Sequence, residues 1–337
     1  MKYAFKRFWW LILLLILIVG GLIYLNSKQK QVILSPEAPW VQIEKPLEKY
    51  SFPELKNKVF AGSEIELGKT IQDNSNYVSK MFFYKVEDRK ISGQINIPKA
   101  KKPANGYPVV IMIRGYVDRE IYETGVGTKN GAGYFSSNGF ITLAPDFLGY
   151  GESDLPPNNS LEERFMRPMQ VMELIASVKN LEQADENKIA MWGHSNGGQI
   201  GLSVLEISGR KIPTSLWAPV SKPFPYSILY YTDEFDDRGK ALRKVVAGFE
   251  ALYEADEYSI ENYYDWIQAS IQIHQGTVDD AVPLEWSEEL NKKLKELDPP
   301  DGEASVKLFI YEGADHNMRG SWNEAVARDL EWFKREL

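Results

Sequence analysis

The serine in Gly193-His194-Ser195-Asn196-Gly197 is the group in this sequence best placed for covalent chemistry. The residues before it, Lys188-Ile189-Ala190-Met191-Trp192, have strand character. Those after it, Gly198-Gln199-Ile200-Gly201-Leu202-Ser203-Val204-Leu205, are small, apolar and compatible with a helix. A sharp strand-to-helix turn of this form strains the serine backbone and lifts its Oγ clear of a sheet. Glycines flank it because side chains there would strike the neighbouring strand and helix. A serine hydroxyl is a weak nucleophile until a base takes its proton and a third group orients that base. The chain has three histidines, His194, His274 and His316. His194 directly precedes the serine, so its side chain is expected to point away from it. His274 sits near the end of a strand-like run. His316, in the loop after Leu308-Phe309-Ile310-Tyr311, is the expected base. Gly276-Thr277-Val278-Asp279-Asp280-Ala281-Val282-Pro283 follows another strand-like run and supplies the acid. The chemistry expected of Ser195, Asp279 and His316 is attack on an ester or amide carbonyl.

Serine, acid and histidine in that chain order are the arrangement of α/β hydrolases. The 276–283 segment, the following Trp286-Ser287-Glu288-Glu289-Leu290 and Tyr311-Glu312-Gly313-Ala314-Asp315-His316 together resemble the catalytic domain of the prolyl oligopeptidase family, from about residue 84 to the C-terminus. The resemblance implies that Asp279 is the triad acid and that Asp280 is an acceptor stabilising its loop. It implies that the Asn196 backbone N–H donates to the oxyanion. A second donor is implied in the loop after Val109-Val110-Ile111-Met112-Ile113, which reads Arg114-Gly115-Tyr116. Tyr116 would serve through its N–H or, alternatively, its hydroxyl. Arg114 departs from the His-Gly of many relatives.

Several elements must position these groups. Residues 81–86 and 91–97 flank the polar Glu87-Asp88-Arg89-Lys90 and read as an antiparallel hairpin. Residues 107–113 and 140–144 read as buried strands, with a short helix over 130–138 between them. A long amphipathic stretch follows from 161 to about 183. Strand and helix then alternate through the serine turn, 214–218, 270–274 and 306–311. This predicts an α/β-hydrolase fold, a mainly parallel sheet with helices on both faces and active residues at the C-terminal strand ends. In Asp146-Phe147-Leu148-Gly149-Tyr150-Gly151-Glu152-Ser153, Asp146 is read as a structural acceptor for loop amides rather than a catalytic acid. Ser153 lacks the strand-turn-helix context of a nucleophile.

Residues 221–269 break the alternation and read as a short helical cap insertion. Aromatic residues are frequent there, and acids outnumber bases ten to five. Either an acidic, aromatic mouth favours cationic or apolar substrates, or the aromatics pack inward and the acids are merely solvated.

At 337 residues, 44% of them hydrophobic, the chain can bury a full core. A net charge of −8 argues against nucleic acid as a partner. With no cysteine there are no disulfides or thiolate metal sites. No metal-ligating spacing and no phosphate-binding loop occurs, so no cofactor is expected. Gly125-Val126-Gly127 lacks the strand and helix of a dinucleotide loop.

Residues 8–25 form an unbroken apolar run after Lys2, Lys6 and Arg7. As a helix the run would span roughly 27 Å. The expectation is a basic cytoplasmic tail (1–7), a transmembrane signal anchor (8–25), a stalk or strap (26–75) and an extracytoplasmic catalytic domain (76–337). Secretion after cleavage of a signal peptide is the alternative. Short peptides or small esters are the expected substrates, hydrolysed or transferred to another acceptor. A non-catalytic surface binding module is the remaining alternative.

Overall fold

Tyr107-Pro108-Val109-Val110-Ile111-Met112-Ile113 carries no charge, and almost every residue of it is buried. Only a central strand covered on both faces accommodates such a run. The computed structural model, which describes residues 44–297 and 305–337, places it at the middle of the sheet.

The elements run in the order α1 (Phe52–Asn57), β1 (Glu66–Asp73), β2 (Tyr77–Val86), β3 (Arg89–Pro98), β4 (Tyr107–Ile113), α2 (Lys129–Ser137), β5 (Ile141–Pro145), α3 (Ser160–Ser177), β6 (Ala184–His194), α4 (Asn196–Ser208), β7 (Thr214–Trp217), α5 (Tyr226–Leu229), α6 (Lys240–Glu250), β8 (Ile271–Gly276), α7 (Leu284–Glu296), β9 (Val306–Tyr311) and α8 (Trp322–Glu336). The described strands form one sheet in the order β1-β2-β3-β5-β4-β6-β7-β8-β9. Pairing is antiparallel from β1 through β3 to β5 and parallel from β5 onward.

The two-residue period of β4 divides the core. Val109, Ile111 and Ile113 join α1, α3 and α4 on one face, while Val110 and Met112 join α2 and α8 on the other. The chain passes from β4 to β5 on one side and later returns to β6 on the other, which opens a crevice above β4 and β6. Ile113 and Gly193 are register partners, so the Gly115 loop and the serine turn leave the sheet side by side. Trp217 pairs with His274, and Gly276 with Tyr311, so the Asp279 and His316 loops leave the same sheet edge.

The compact unit begins at Lys45, not near residue 76 as the sequence reading has it. Residues 66–73 are an edge strand, and α1 packs Phe52 and Leu55 into the core. The strap that contains α1 is stitched along α3. The Tyr50 hydroxyl donates to Glu162, Gly62 N–H to Glu173 and Ser63 N–H to the Ser177 hydroxyl, each at 2.8 Å. The expected anchor at 8–25 lies outside the described residues. Among the described residues, no helix is long and apolar enough to cross a membrane.

Candidate active site

Ser195 takes φ 56° and ψ −121°, a left-handed conformation costly for a residue with a Cβ. The surroundings impose it. Ser195 N–H donates to the Trp217 carbonyl at 2.9 Å, and the Ser195 carbonyl accepts from Val220 N–H at 3.0 Å and Gly198 N–H at 2.9 Å. A Cβ on Gly197 would stand 2.0 Å from the Ile113 carbonyl oxygen, so only glycine lets α4 start this close to β4. Asn196 and Gly197 open α4, where backbone N–H groups have no helical acceptor.

His316 Nδ1 lies 3.0 and 2.9 Å from the two oxygens of Asp279. The carboxylate is buried and fully engaged. Its Oδ1 accepts from Ala281 N–H at 2.9 Å and Val282 N–H at 2.8 Å, and its Oδ2 accepts from the Gln275 amide at 2.9 Å. Burial raises its pKa, but the His316 bond and the two loop amides outweigh burial and hold it below the usual carboxylate range. Asp280 is exposed. The loop-stabilising role expected of Asp280 therefore falls to Asp279 itself.

The other histidines separate clearly. His274 is buried, shares a 2.8 Å hydrogen bond with the Tyr311 hydroxyl and stands 2.9 Å from Asp329. His194 Nε2–H donates to the carbonyl of His316 at 2.8 Å, and the two rings lie 4.6 Å apart. Burial, then the neighbouring His316, lowers the His194 pKa to about 4, so its ring is neutral at pH 7. His194 thus clamps the backbone of the loop that carries His316. Its place beside the serine was visible in the sequence, but its partner, 122 residues away, was not.

Arg114 is buried, with its guanidinium 4.4 Å from the Tyr122 ring centre and 4.1 Å from that of Tyr150. It donates to the Gly115 carbonyl and the Asp146 carbonyl, both at 2.9 Å. A trans peptide points its N–H opposite its C=O, so the Tyr116 N–H turns away from Arg114. A Cβ added to Gly115 would come within 3.0 Å of Ser195 Cβ, so this loop borders the serine. The Tyr116 side chain is exposed and its hydroxyl donates to Asp118 at 2.6 Å. That bond pushes the phenol up to about 12 and engages the hydroxyl elsewhere. The Asp146 carboxylate accepts from the Ser92, Tyr122 and Thr124 hydroxyls at 2.5, 2.6 and 2.8 Å. Burial raises its pKa despite these bonds. Asp146 thus braces the loop beside Arg114, though through hydroxyls rather than the expected amides.

In the cap, Phe224, Phe249, Tyr253, Tyr258 and Tyr264 are buried, and Phe165 of α3 packs against Phe224, Phe249 and Tyr258. Asp233, Asp236, Asp237 and Glu257 are exposed. The buried aromatics follow the inward-packed reading, whereas Tyr226, Tyr230 and Phe235 of the same insertion are exposed.

The sequence pattern of the prolyl oligopeptidase family matches residues 128–337. The uncharacterized peptidase YtmA of Bacillus subtilis (strain 168) is 27% identical over 207 residues, covering 59% of this chain and 74% of that protein. Acetyl xylan esterase 1 from Thermoanaerobacterium sp. JW/SL YS485 superposes with a TM-score of 0.61 at 16% identity, over 85% of this chain and 93% of its own. The Pyrococcus horikoshii acylaminoacyl peptidase gives 0.59 at 19% identity, over 78% of this chain and 42% of its own. A strained serine at a strand-to-helix turn and a match that includes Ser195, Asp279 and His316 place the chain together: it belongs to the prolyl oligopeptidase family and is a serine hydrolase of α/β-hydrolase fold.

Proposed function

We propose that this hydrolase cleaves peptide or ester bonds through an acyl-enzyme formed on Ser195. His316 takes the Ser195 proton as Oγ attacks the carbonyl carbon, then gives it to the departing amine or alcohol. Asp279 accepts from His316 Nδ1, which leaves Nε2 as the basic nitrogen and stabilises the imidazolium once formed. Backbone N–H groups of Asn196 and Tyr116 receive the negative charge on the former carbonyl oxygen. Such donors contribute about 3 kcal/mol each. Water, activated by His316, then releases the acid. The observation that carries this reading is the two-oxygen contact of Asp279 on His316 Nδ1, on loops that leave the same sheet edge as Ser195.

A fluorophosphonate probe tests it. Label located on Ser195 by mass spectrometry, and lost in His316→Ala, is the expected result. A folded protein that takes no label at Ser195 would overturn the mechanism.

Small acyl esters form the second reading of the substrate. The acetyl xylan esterase aligns over almost its whole length, whereas the acylaminoacyl peptidase aligns over less than half of its own. Hydrolysis of a matched acetyl ester and dipeptide amide series separates the two. The proposal includes membrane anchoring by residues 8–25, supported by the hydropathy of that run. Retention of the full chain in the membrane fraction after an alkaline wash is expected, and release into the supernatant would sink it.

A further inference from the structure

A narrow cleft of about 50 Å³ runs beside the serine turn. One stripe of α4 forms its floor, from Asn196 through Gln199, Ile200 and Ser203 to Ile207. Eleven helical steps make that floor roughly 16 Å long. The α1 strap, α3 and the cap close the other sides, mostly with apolar and aromatic groups, and no acidic side chain lines it. Two charged groups do, Arg164 and Arg167 of α3.

The charges around the cleft do not balance. Glu163 pairs with Arg119 at 2.6 Å and with Arg167 at 3.3 Å, so one carboxylate serves two guanidinium groups. Glu162 accepts from the Tyr50 hydroxyl. No described residue makes a hydrogen bond or ion pair with Arg164. Burial, then the like charge of Arg167, lowers the Arg164 pKa, while Tyr231 and Glu163 offset this in part. Arginine nevertheless stays charged in proteins. Arg164 is half-buried and lines the cleft, so a solute entering there can meet its guanidinium. A planar fork of N–H donors fits a carboxylate with two parallel bonds.

We propose that this cleft is an anion subsite in which Arg164 pairs with a carboxylate of the substrate, while the substrate's acyl group reacts at Ser195. The inference rests on the hydrolase reading above and adds a substrate class to it, carboxylate-bearing esters or amides. Asn196 is common to both sites, as it lines the cleft and follows the serine.

Two ester pairs test the idea on the full-length protein. In one the acyl part carries the charge (p-nitrophenyl butyrate against mono-p-nitrophenyl glutarate). In the other the leaving group carries it (phenyl butyrate against the butyryl ester of 4-hydroxybenzoate). The expected result is a preference for the carboxylate member of one pair. Arg164→Gln should cut kcat/KM for that member by about tenfold or more, chiefly through KM, and leave its neutral counterpart within about twofold. Arg164→Lys should recover part of the loss, and matched thermal unfolding should show all variants folded. No preference in either pair, or equal losses on charged and neutral members, overturns the proposal. Calorimetric titration of glutarate into Ser195→Ala reads the site without turnover. Saturable binding lost in Arg164→Gln supports the subsite even if no ester is cleaved, in which case the hydrolase reading falls alone. Fluorophosphonate label on Ser195 with no glutarate binding and no ester preference keeps that reading and removes this one.

Discussion

His316 Nδ1 meets both oxygens of Asp279, and the same carboxylate holds the amides of Ala281 and Val282. Replacing it should disturb the tautomer of His316 and the shape of its own loop together. Asp279→Asn is expected to lower kcat by roughly 10³–10⁴, and Asp280→Asn to leave it within about twofold. Steady-state kinetics on any turned-over ester checks the pair, and a larger loss in the Asp280 variant would reverse the assignment. His194 gives a prediction about pH. Its folded pKa of about 4 lies below the ordinary value of 6.5, so between those values the unfolded chain binds the extra proton. The contribution is complete above pH 6.5 and is lost as pH falls toward 4, up to about 3 kcal/mol in all. His194→Gln should flatten that acid arm of the stability curve. Denaturant unfolding at pH 4.5 and 7 measures it, and an unchanged slope would show that His194 is not the group responsible. The triad was legible in the sequence because its members carry distinctive types in a fixed order. Arg114 and Arg164 were not, since an arginine's role depends on partners the sequence does not bring together.

At the scale of elements, the loop after β4 depends on Arg114, held between Tyr122 and Tyr150 and bonded to the Gly115 carbonyl. Arg114→Lys keeps the charge but loses the fork and the flat stacking surface. It should lower kcat by roughly tenfold to a hundredfold with little change in KM, because oxyanion donors act mainly in the transition state. An effect confined to KM would argue that the loop binds substrate instead. The hairpin β2–β3, the buried strands β4, β5, β7 and β8, and β6 and β9 were readable from alternation, apolar runs and turn residues. The strand β1 was not, because Glu66-Leu67-Gly68-Lys69-Thr70-Ile71-Gln72-Asp73 lies on an edge and is largely exposed, so no apolar face marks it. The helix α1 did carry a signal. Ser51 caps it by accepting from Glu54 N–H at 3.4 Å, with Pro53 in the first turn, but four prolines among charges masked that signature.

Across the whole molecule, α8 is held on the sheet by its apolar face and by one buried carboxylate. Asp329 accepts from the Ser215 hydroxyl at 2.6 Å and the Trp217 indole at 2.8 Å and stands 2.9 Å from His274. Asp329→Ala should strand these groups without a partner and cost about 3–5 kcal/mol. Thermal and denaturant unfolding measure it, and a loss below about 1 kcal/mol would show that the network relaxes. The strap forms the opposite boundary of the domain. At its start, Leu47 N–H donates to the Tyr253 hydroxyl at 3.1 Å, and the Leu47 carbonyl accepts from the Tyr258 hydroxyl at 3.0 Å. Tyr258 also lines the cleft, as do Tyr50, Phe52 and Leu55 of the strap. Tension applied along the chain from residue 44 therefore reaches this two-bond clasp and the cleft wall before it loads any strand. Such a pull would disturb the wall of the cleft before it reached the sheet formed by the described strands.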